Sequence, residues 1–181
     1  MELNEKRLTS SLIFDGVILH LSLDTVELPN GKSAEREWIS HLGAVCVVPI
    51  LPDGRVIVEK QFRYPVGRVL LEIPAGKLDS ADEDPQEAAK RELHEETGYT
   101  ADRWQFLGRI NPAPAYSSET IWVYLAEGLK KGDQDLDEDE FLEVEAVPLR
   151  DLLRMIDEGA IPDLKTQNAL LRAARLRPQF A

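Results

Sequence analysis

The stretch at residues 43–50, GAVCVVPI, is nearly all apolar and reads as a strand buried on both of its faces. Most of the other sequence before residue 74 also has strand character. Leu12-Ile13-Phe14 is a short apolar run that stops at the turn pair Asp15-Gly16. Residues 17–26 alternate, with Val17, Leu19, Leu21 and Leu23 on one face. Pro29-Asn30-Gly31 is a hairpin turn, and 34–40 is the returning strand. Pro52-Asp53-Gly54 turns the chain into a strand at 55–62, and a further short one follows at 69–73.

The first helix is announced by its cap. Asp84 is a good N-cap, Pro85 takes the first helical position, and Glu87 completes a capping-box pattern. Gly98 is placed to end the helix in a left-handed conformation. Beyond it, 104–109 and 120–125 read as strands, 130–140 as a charged loop, and 141–147 as a strand. Helices follow at 149–158 and 164–176, the last capped by Asp163. Strands interspersed with a few helices define an α/β class with a mixed sheet.

The length of 181 residues suits one ordinary domain. A hydrophobic fraction of 43% with 30% charged residues reads as soluble and globular. No apolar run approaches the roughly 20 residues needed to cross a bilayer. The polar N-terminal segment lacks the apolar centre of a secretion signal. Cys46, the only cysteine, lies inside the apolar run and reads as a reduced core residue, which fits a cytoplasmic protein. A net charge of −12 disfavours polyanionic partners, nucleic acid and anionic membranes alike. A small anionic ligand stays possible, provided metal ions or arginines bridge it to the acidic protein.

Residues 76–99, GKLDSADEDPQEAAKRELHEETGY, carry the chemistry. Glu92, Glu95 and Glu96 stand at i, i+3, i+4, so their carboxylates share one helix face and repel one another by a few tenths of a kcal/mol per pair. A hard cation with oxygen ligands would turn that repulsion into attraction, as Mg2+ does with a few carboxylates and phosphate oxygens. Arg91 is close enough in sequence to pair with Glu95 and orient it. Alone, E-x-x-E-E on a helix is a solvated acidic face; the flanking residues argue otherwise.

Those flanks make the stretch resemble the Nudix box, G-x5-E-x7-R-E-U-x-E-E-x-G-U with U apolar. Gly76, Glu83, Arg91, Glu92, Leu93, Glu95, Glu96, Gly98 and Tyr99 occupy its positions. One residue is inserted between Gly76 and the acid. Asp82 keeps the spacing from Gly76, whereas Glu83 keeps the spacing to Arg91, and the helix fixes the latter distance. The similarity extends over residues 36–176. Lys60-Gln61-Phe62-Arg63-Tyr64-Pro65, Glu72-Ile73-Pro74-Ala75-Gly76, the acidic loop at 137–141 and Asp163-Leu164-Lys165-Thr166 resemble segments of ADP-ribose pyrophosphatases. In the segment after the box, Pro114 and Tyr116 match, while Ala115 stands where that subfamily has glycine.

The resemblance implies a Nudix fold: an α/β/α sandwich with a mixed β-sheet, plus N-terminal antiparallel strands used in dimerisation. It divides the chain into an N-terminal strand region, 1–42, exchanged in a homodimer, and a Nudix domain, 43–181. It implies Mg2+, with Mn2+ as an alternative, held by Glu92 and Glu96 with Glu95 and the main-chain carbonyl of Ala75. Glu140, with Glu138 as second choice, would be the general base, from a loop that closes on substrate. Arg63 would bind phosphate oxygens bidentately or form a structural ion pair. Glu72 would hold the ribose or orient Arg63. Trp38, next to Arg36-Glu37, would stack on the nucleobase across the dimer or serve as a core aromatic. Arg36 and Pro114 complete the substrate-binding candidates. The implied reaction is hydrolysis of a nucleoside diphosphate sugar, ADP-ribose above others, to AMP and ribose 5-phosphate. GDP-mannose or a damaged nucleoside triphosphate is the alternative substrate, and a non-catalytic nucleotide-sugar-binding module the alternative class. Such modules tend to lose box glutamates, and all are present here.

Overall fold

The computed structural model describes residues 3–136 and 140–181. The strands are β1 Lys6–Asp15, β2 His20–Glu27, β3 Ser33–Ser40, β4 Ala44–Ile50, β5 Arg55–Arg63, β6 Arg68–Glu72 and β7 Ala75–Lys77. Helix α1 Pro85–Thr97 follows, then β8 Tyr99–Ile110, β9 Ile121–Lys131, β10 Leu142–Pro148, and the helices α2 Leu149–Asp157 and α3 Leu164–Leu176.

Every residue of β4 is buried. Side chains on a strand alternate between faces, so β4 supplies two cores. Ala44, Cys46, Val48 and Ile50 pack with Leu149 and Leu152 of α2 and Ala169, Leu170 and Ala173 of α3. Val45 and Val47 pack with Ala88, Ala89 and Leu93 of α1. Strand β9 runs parallel to β4 from Ala44↔Ile121 to Ile50↔Glu127 and alternates in the same way. A sheet with one apolar set on each face takes a helical layer on each, and the α/β/α arrangement follows.

The seven-stranded sheet has the order β10-β5-β4-β9-β8, with β6 on β5 and β7 on β4. Strands β4 and β5 pair only at Ile50↔Val56 and then diverge. Beyond that point β5 pairs with β6 and β4 with β7. The split opens beside α1, and the candidate site lies there.

A second, three-stranded antiparallel sheet, β1-β2-β3, precedes it. It joins the body where Ile39 exchanges backbone hydrogen bonds with Tyr116 (2.8 Å) and Ser118 (3.0 Å). All ten residues of β1 are exposed. Among the described residues no helix is long and apolar enough to cross a membrane.

Several boundaries differ from the sequence reading. Strand β1 starts at Lys6 rather than Leu12, because pairing with β2 carries it through polar residues. Val17, Ile18 and Leu19 form a turn closed by the Gly16 N–H on the Leu19 carbonyl, so β2 begins only at His20. Strand β9 continues to Lys131, held by Tyr99↔Lys131 and Thr100↔Lys130 of β8. Strand β7 has no hydrophobic signature and forms because β4 offers it a free edge.

The ends of α1 follow the sequence reading except for the capping box: the Glu87 carboxylate accepts from Lys90 (2.7 Å) and not from the Asp84 amide. The Asp84 carboxylate accepts from the amides of Gln86 (2.8 Å) and Glu87 (3.1 Å). Gly98 closes the helix at φ 72°, and a Cβ there would meet the Gly132 carbonyl oxygen at 2.7 Å. Asp84→Ala removes the acceptor for two orphan amides and is expected to cost about 1 kcal/mol, read as a lower urea midpoint at unchanged m-value.

Candidate active site

The i, i+3, i+4 spacing places Glu92, Glu95 and Glu96 on the face of α1 that meets the sheet split. Arg91 organises them. Its Nη1 donates to Glu92 (2.8 Å) and Glu95 (3.0 Å), and its Nη2 donates to the Lys77 carbonyl (3.1 Å). Its Nε lies 3.3 Å from Glu83 Oε1. The Arg91–Glu95 contact is the one expected from the sequence. Burial pulls the Arg91 pKa down, but Glu92, Glu83 and Glu95 outweigh it and raise it. The other oxygen of Glu83 accepts from the Asp79 amide at 2.6 Å. Glu83 therefore occupies the box position beside Arg91, and the inserted residue is taken up in the preceding loop.

Gly76 is required by proximity rather than by backbone angle. A Cβ on it would lie 2.0 Å from Glu92 Cδ, so the Glu92 carboxylate sits directly against the β7 backbone. One residue earlier, the Ala75 amide donates to Glu96 Oε2 at 2.9 Å. Strand β7 thus presents its backbone to two of the three helix carboxylates.

The electrostatics are unbalanced. Glu92 is 9% exposed, Glu96 3% and Glu59, on β5, 0%. Among the described residues neither carboxylate oxygen of Glu59 has a hydrogen-bond partner. Burial pushes the Glu92 carboxyl up to about 7, with Arg91 opposing. Glu96 is raised further, by burial first and then by Glu59 and Glu92. Burial likewise raises Glu59, with Lys165 opposing. Several acids are packed together with too few cations to neutralise them.

A cleft of about 470 Å³ opens over this cluster; Arg63, Gly76, Arg91, Glu92, Glu95 and Glu140 are among its lining residues, as are Asp135 and Ile18. The loop after β9 is pinned to the end of α1. Gly132 N–H reaches the Gly98 carbonyl (2.7 Å), and Asp135 N–H reaches that of Glu95 (3.1 Å). Glu140 also lines the cleft. Glu140 is half-buried, and its charge helps raise both Glu92 and Glu96. Glu138 lies outside the described residues.

Among the described residues no three acidic, imidazole or thiol groups already form a cation cage. The donor chemistry nevertheless fits a hard divalent cation: oxygen atoms only, several buried carboxyls close together, and at Glu59 a buried carboxyl with no hydrogen-bond partner among the described residues.

Across the cleft, Arg63 donates from Nε and Nη2 to the two oxygens of Glu72, both at 2.8 Å. The bidentate ion pair is present, and Nη1 is the guanidinium nitrogen it leaves unused. Arg63 lines the cleft, whereas Glu72, its partner, is 1% exposed and does not line it. Burial raises the Glu72 carboxyl, but Arg63 and Lys165 overcome it and hold the carboxyl below its ordinary value.

The remaining candidates lie elsewhere. Trp38, on β3, donates its indole N–H to Asp24 at 3.0 Å and is half-buried. Arg36 is exposed and forms a fork with Glu5 (2.9 and 2.5 Å). Pro114 is exposed in the turn whose Tyr116 bonds Ile39. None of the three lines the cleft of this chain. The sequence reading missed Glu59, Asp135 and the contact of Lys165 with Glu72. Glu59 left one signal, an acid directly following Val56-Ile57-Val58 in an apolar strand.

An acidic box helix, a glycine strand against it and an α/β/α body define a class. Residues 40–166 match the family model described as NUDIX domain, and the chain belongs to the Nudix family. It is 42% identical over 170 residues to an ADP-ribose pyrophosphatase of Bacillus subtilis (strain 168), covering 93% of this chain and 91% of that protein. It is 40% identical over 164 residues to a methanol dehydrogenase activator of Bacillus methanolicus, covering 90% and 88%. Its fold matches a solved structure described as an ADP compounds hydrolase, with TM-score 0.86 at 23% identity, over 99% of this chain and 97% of that one.

Gly76→Ala should displace the Glu92 carboxylate and weaken Mn2+ binding on the order of tenfold, with the fold retained. Calorimetric titration with Mn2+ checks this; an unchanged affinity would mean Glu92 relocates without loss.

Proposed function

We propose that this chain hydrolyses the diphosphate of ADP-ribose, giving AMP and ribose 5-phosphate with Mg2+, or Mn2+ in its place. The observation that carries the reading is the acidic face of α1 opening into one cleft with Arg63, in a chain so similar to an ADP-ribose pyrophosphatase. Glu92, Glu96 and Glu95 would hold the cation, with the Ala75 carbonyl. When bound, the cation neutralises the diphosphate and favours ionisation of water.

The chain's own groups do the rest. Arg63, braced by Glu72, offers Nη1 to a phosphate oxygen, a charge-assisted contact. Arg91 keeps Glu95 turned toward the cleft. Water attacks phosphorus, the P–O bond of the anhydride breaks, and the departing phosphate keeps the electron pair. Glu140 accepts the proton of the attacking water, with Glu138 as the second choice for this base. Closure on the substrate of the acidic loop that carries Glu138 and Glu140 would complete the site.

Residues 1–42 would exchange between two copies of the chain. Leu8, Leu12, Ile13, Phe14, Val17, Ile18 and Leu19 are all exposed on the N-terminal sheet and its turn, a surface a partner would cover. In such a dimer Trp38, with Arg36 and Pro114 near it, would face the nucleobase held by the partner's cleft. Light scattering after size exclusion should give twice the chain mass, and Phe14→Asp should shift it toward the monomer. A monomeric wild type would remove the dimer and the base-stacking role of Trp38.

Phosphate release after phosphatase coupling, from ADP-ribose, ADP-glucose, GDP-mannose and 8-oxo-dGTP with Mg2+ or EDTA, tests the activity. ADP-ribose should be turned over with Mg2+ and not with EDTA, and Glu96→Gln should lower kcat by orders of magnitude at near-normal Tm. Turnover confined to GDP-mannose or 8-oxo-dGTP would reassign the substrate. Silence across the panel would leave a binding module.

A further inference from the structure

The first turn of α3 lies behind the cleft, on the far side of Glu72. Lys165 there is a half-buried cation, its side chain 13% exposed. Its Nζ donates to Glu72 Oε2 and to Asp163 Oδ2, the latter at 3.1 Å. Asp163 is held in turn, because the same Oδ2 caps α3 by accepting from the Thr166 amide at 2.9 Å. The Thr166 hydroxyl, fully buried, accepts from the Ile73 amide at 3.0 Å. Two neighbouring residues of the β6 end, Glu72 and Ile73, are therefore gripped by one helical turn.

The grip matters through what Glu72 does next. Its two oxygens are the bidentate partner of Arg63, and its side chain is 1% exposed. A buried carboxylate is costly unless paired and hydrogen-bonded. With Lys165 in place, Glu72 has a cation on the side away from the cleft and Arg63 on the side toward it. Without Lys165, Glu72 would keep Arg63 as its single cation, and nothing would fix the carboxylate from behind.

We propose that Lys165 is a positioning residue for substrate binding: by anchoring Glu72 from α3, it sets where the Arg63 guanidinium stands in the cleft. The inference rests on the reading of Arg63 as the phosphate contact. It makes the C-terminal helix part of the substrate site although no α3 residue lines the cleft. The fixed position costs less ordering at the moment of binding, so the effect belongs in KM rather than in kcat.

The test is a mutant cycle read by ADP-ribose kinetics in Mg2+, with Tm recorded for every variant. Lys165→Met is expected to raise KM on the order of tenfold with kcat changed by no more than about threefold. Lys165→Arg, which keeps the charge, should lie closer to wild type. At saturating Mg2+, Arg63→Ala combined with Lys165→Met should match the KM of Arg63→Ala alone, because the proposed route to the substrate runs through that arginine; the effect of Lys165 on Glu59 would show separately, in the Mg2+ dependence. Additive losses in the double variant, or a normal KM in Lys165→Met beside a raised one in Arg63→Ala, would overturn the inference. A normal KM in Arg63→Ala would instead overturn the phosphate-contact reading itself, and the role of Lys165 with it. Should Lys165→Met not fold, Asp163→Asn loosens the same lysine and should raise KM to a smaller extent, again without effect in the Arg63→Ala background; an unchanged KM there overturns the proposal.

Discussion

The structure is arranged around negative charge that is buried without enough positive charge to match it. Glu59, Glu72, Glu92 and Glu96 are each less than 10% exposed, and they converge where the sheet splits. Removing a carboxylate from water costs several kcal/mol per ion even after relaxation. Three cations answer part of that cost. Arg91 bridges the helix acids, while Arg63 and Lys165 flank Glu72. No side-chain cation hydrogen-bonds to Glu59 or Glu96 among the described residues; burial pushes both toward protonation, Glu96 also through Glu59 and Glu92, while Lys165 and Arg63 oppose the rise of Glu59 only in part. Stability alone does not favour this arrangement; a site that takes a divalent cation and an anionic ligand does.

Backbone architecture makes the concentration possible. Strands β4 and β5 separate after one residue pair, and each takes a short partner strand. The gap brings the edge of β7 under α1, where Gly76 admits Glu92 and the Ala75 amide meets Glu96. The end of β6 meets the first turn of α3, where Lys165 and Thr166 hold Glu72 and Ile73. The acidic and basic halves of the cleft are thus fixed by different helices on opposite faces of one sheet.

Much of this was legible in the chain. The Asp84 cap of α1, its glycine end and the one-sided spacing of three glutamates depend on local geometry and are realised as written, whereas the Glu87 half of the capping box gives way to an ion pair with Lys90. Glu83 could be chosen over Asp82 because a helix fixes the distance to Arg91, and Glu83 is the acid that meets Arg91. The double-faced burial of β4 was likewise visible in eight consecutive residues. Strand limits were less legible. The polar half of β1 and the end of β9 are strands only because a neighbouring strand supplies hydrogen-bond partners, which is a non-local fact.

The sequence by itself determined which residues could form an acidic, cation-demanding helix face, because helical periodicity and capping act within a dozen residues. Tertiary structure alone decided which charges meet across the fold. Glu59 lies 37 positions before Glu96, and Lys165 lies 93 after Glu72. No local rule links such distant positions. Their pairing follows from the split in the sheet and the docking of α3, so the environment of Glu59 and the bracing of Arg63 belong to the folded chain alone.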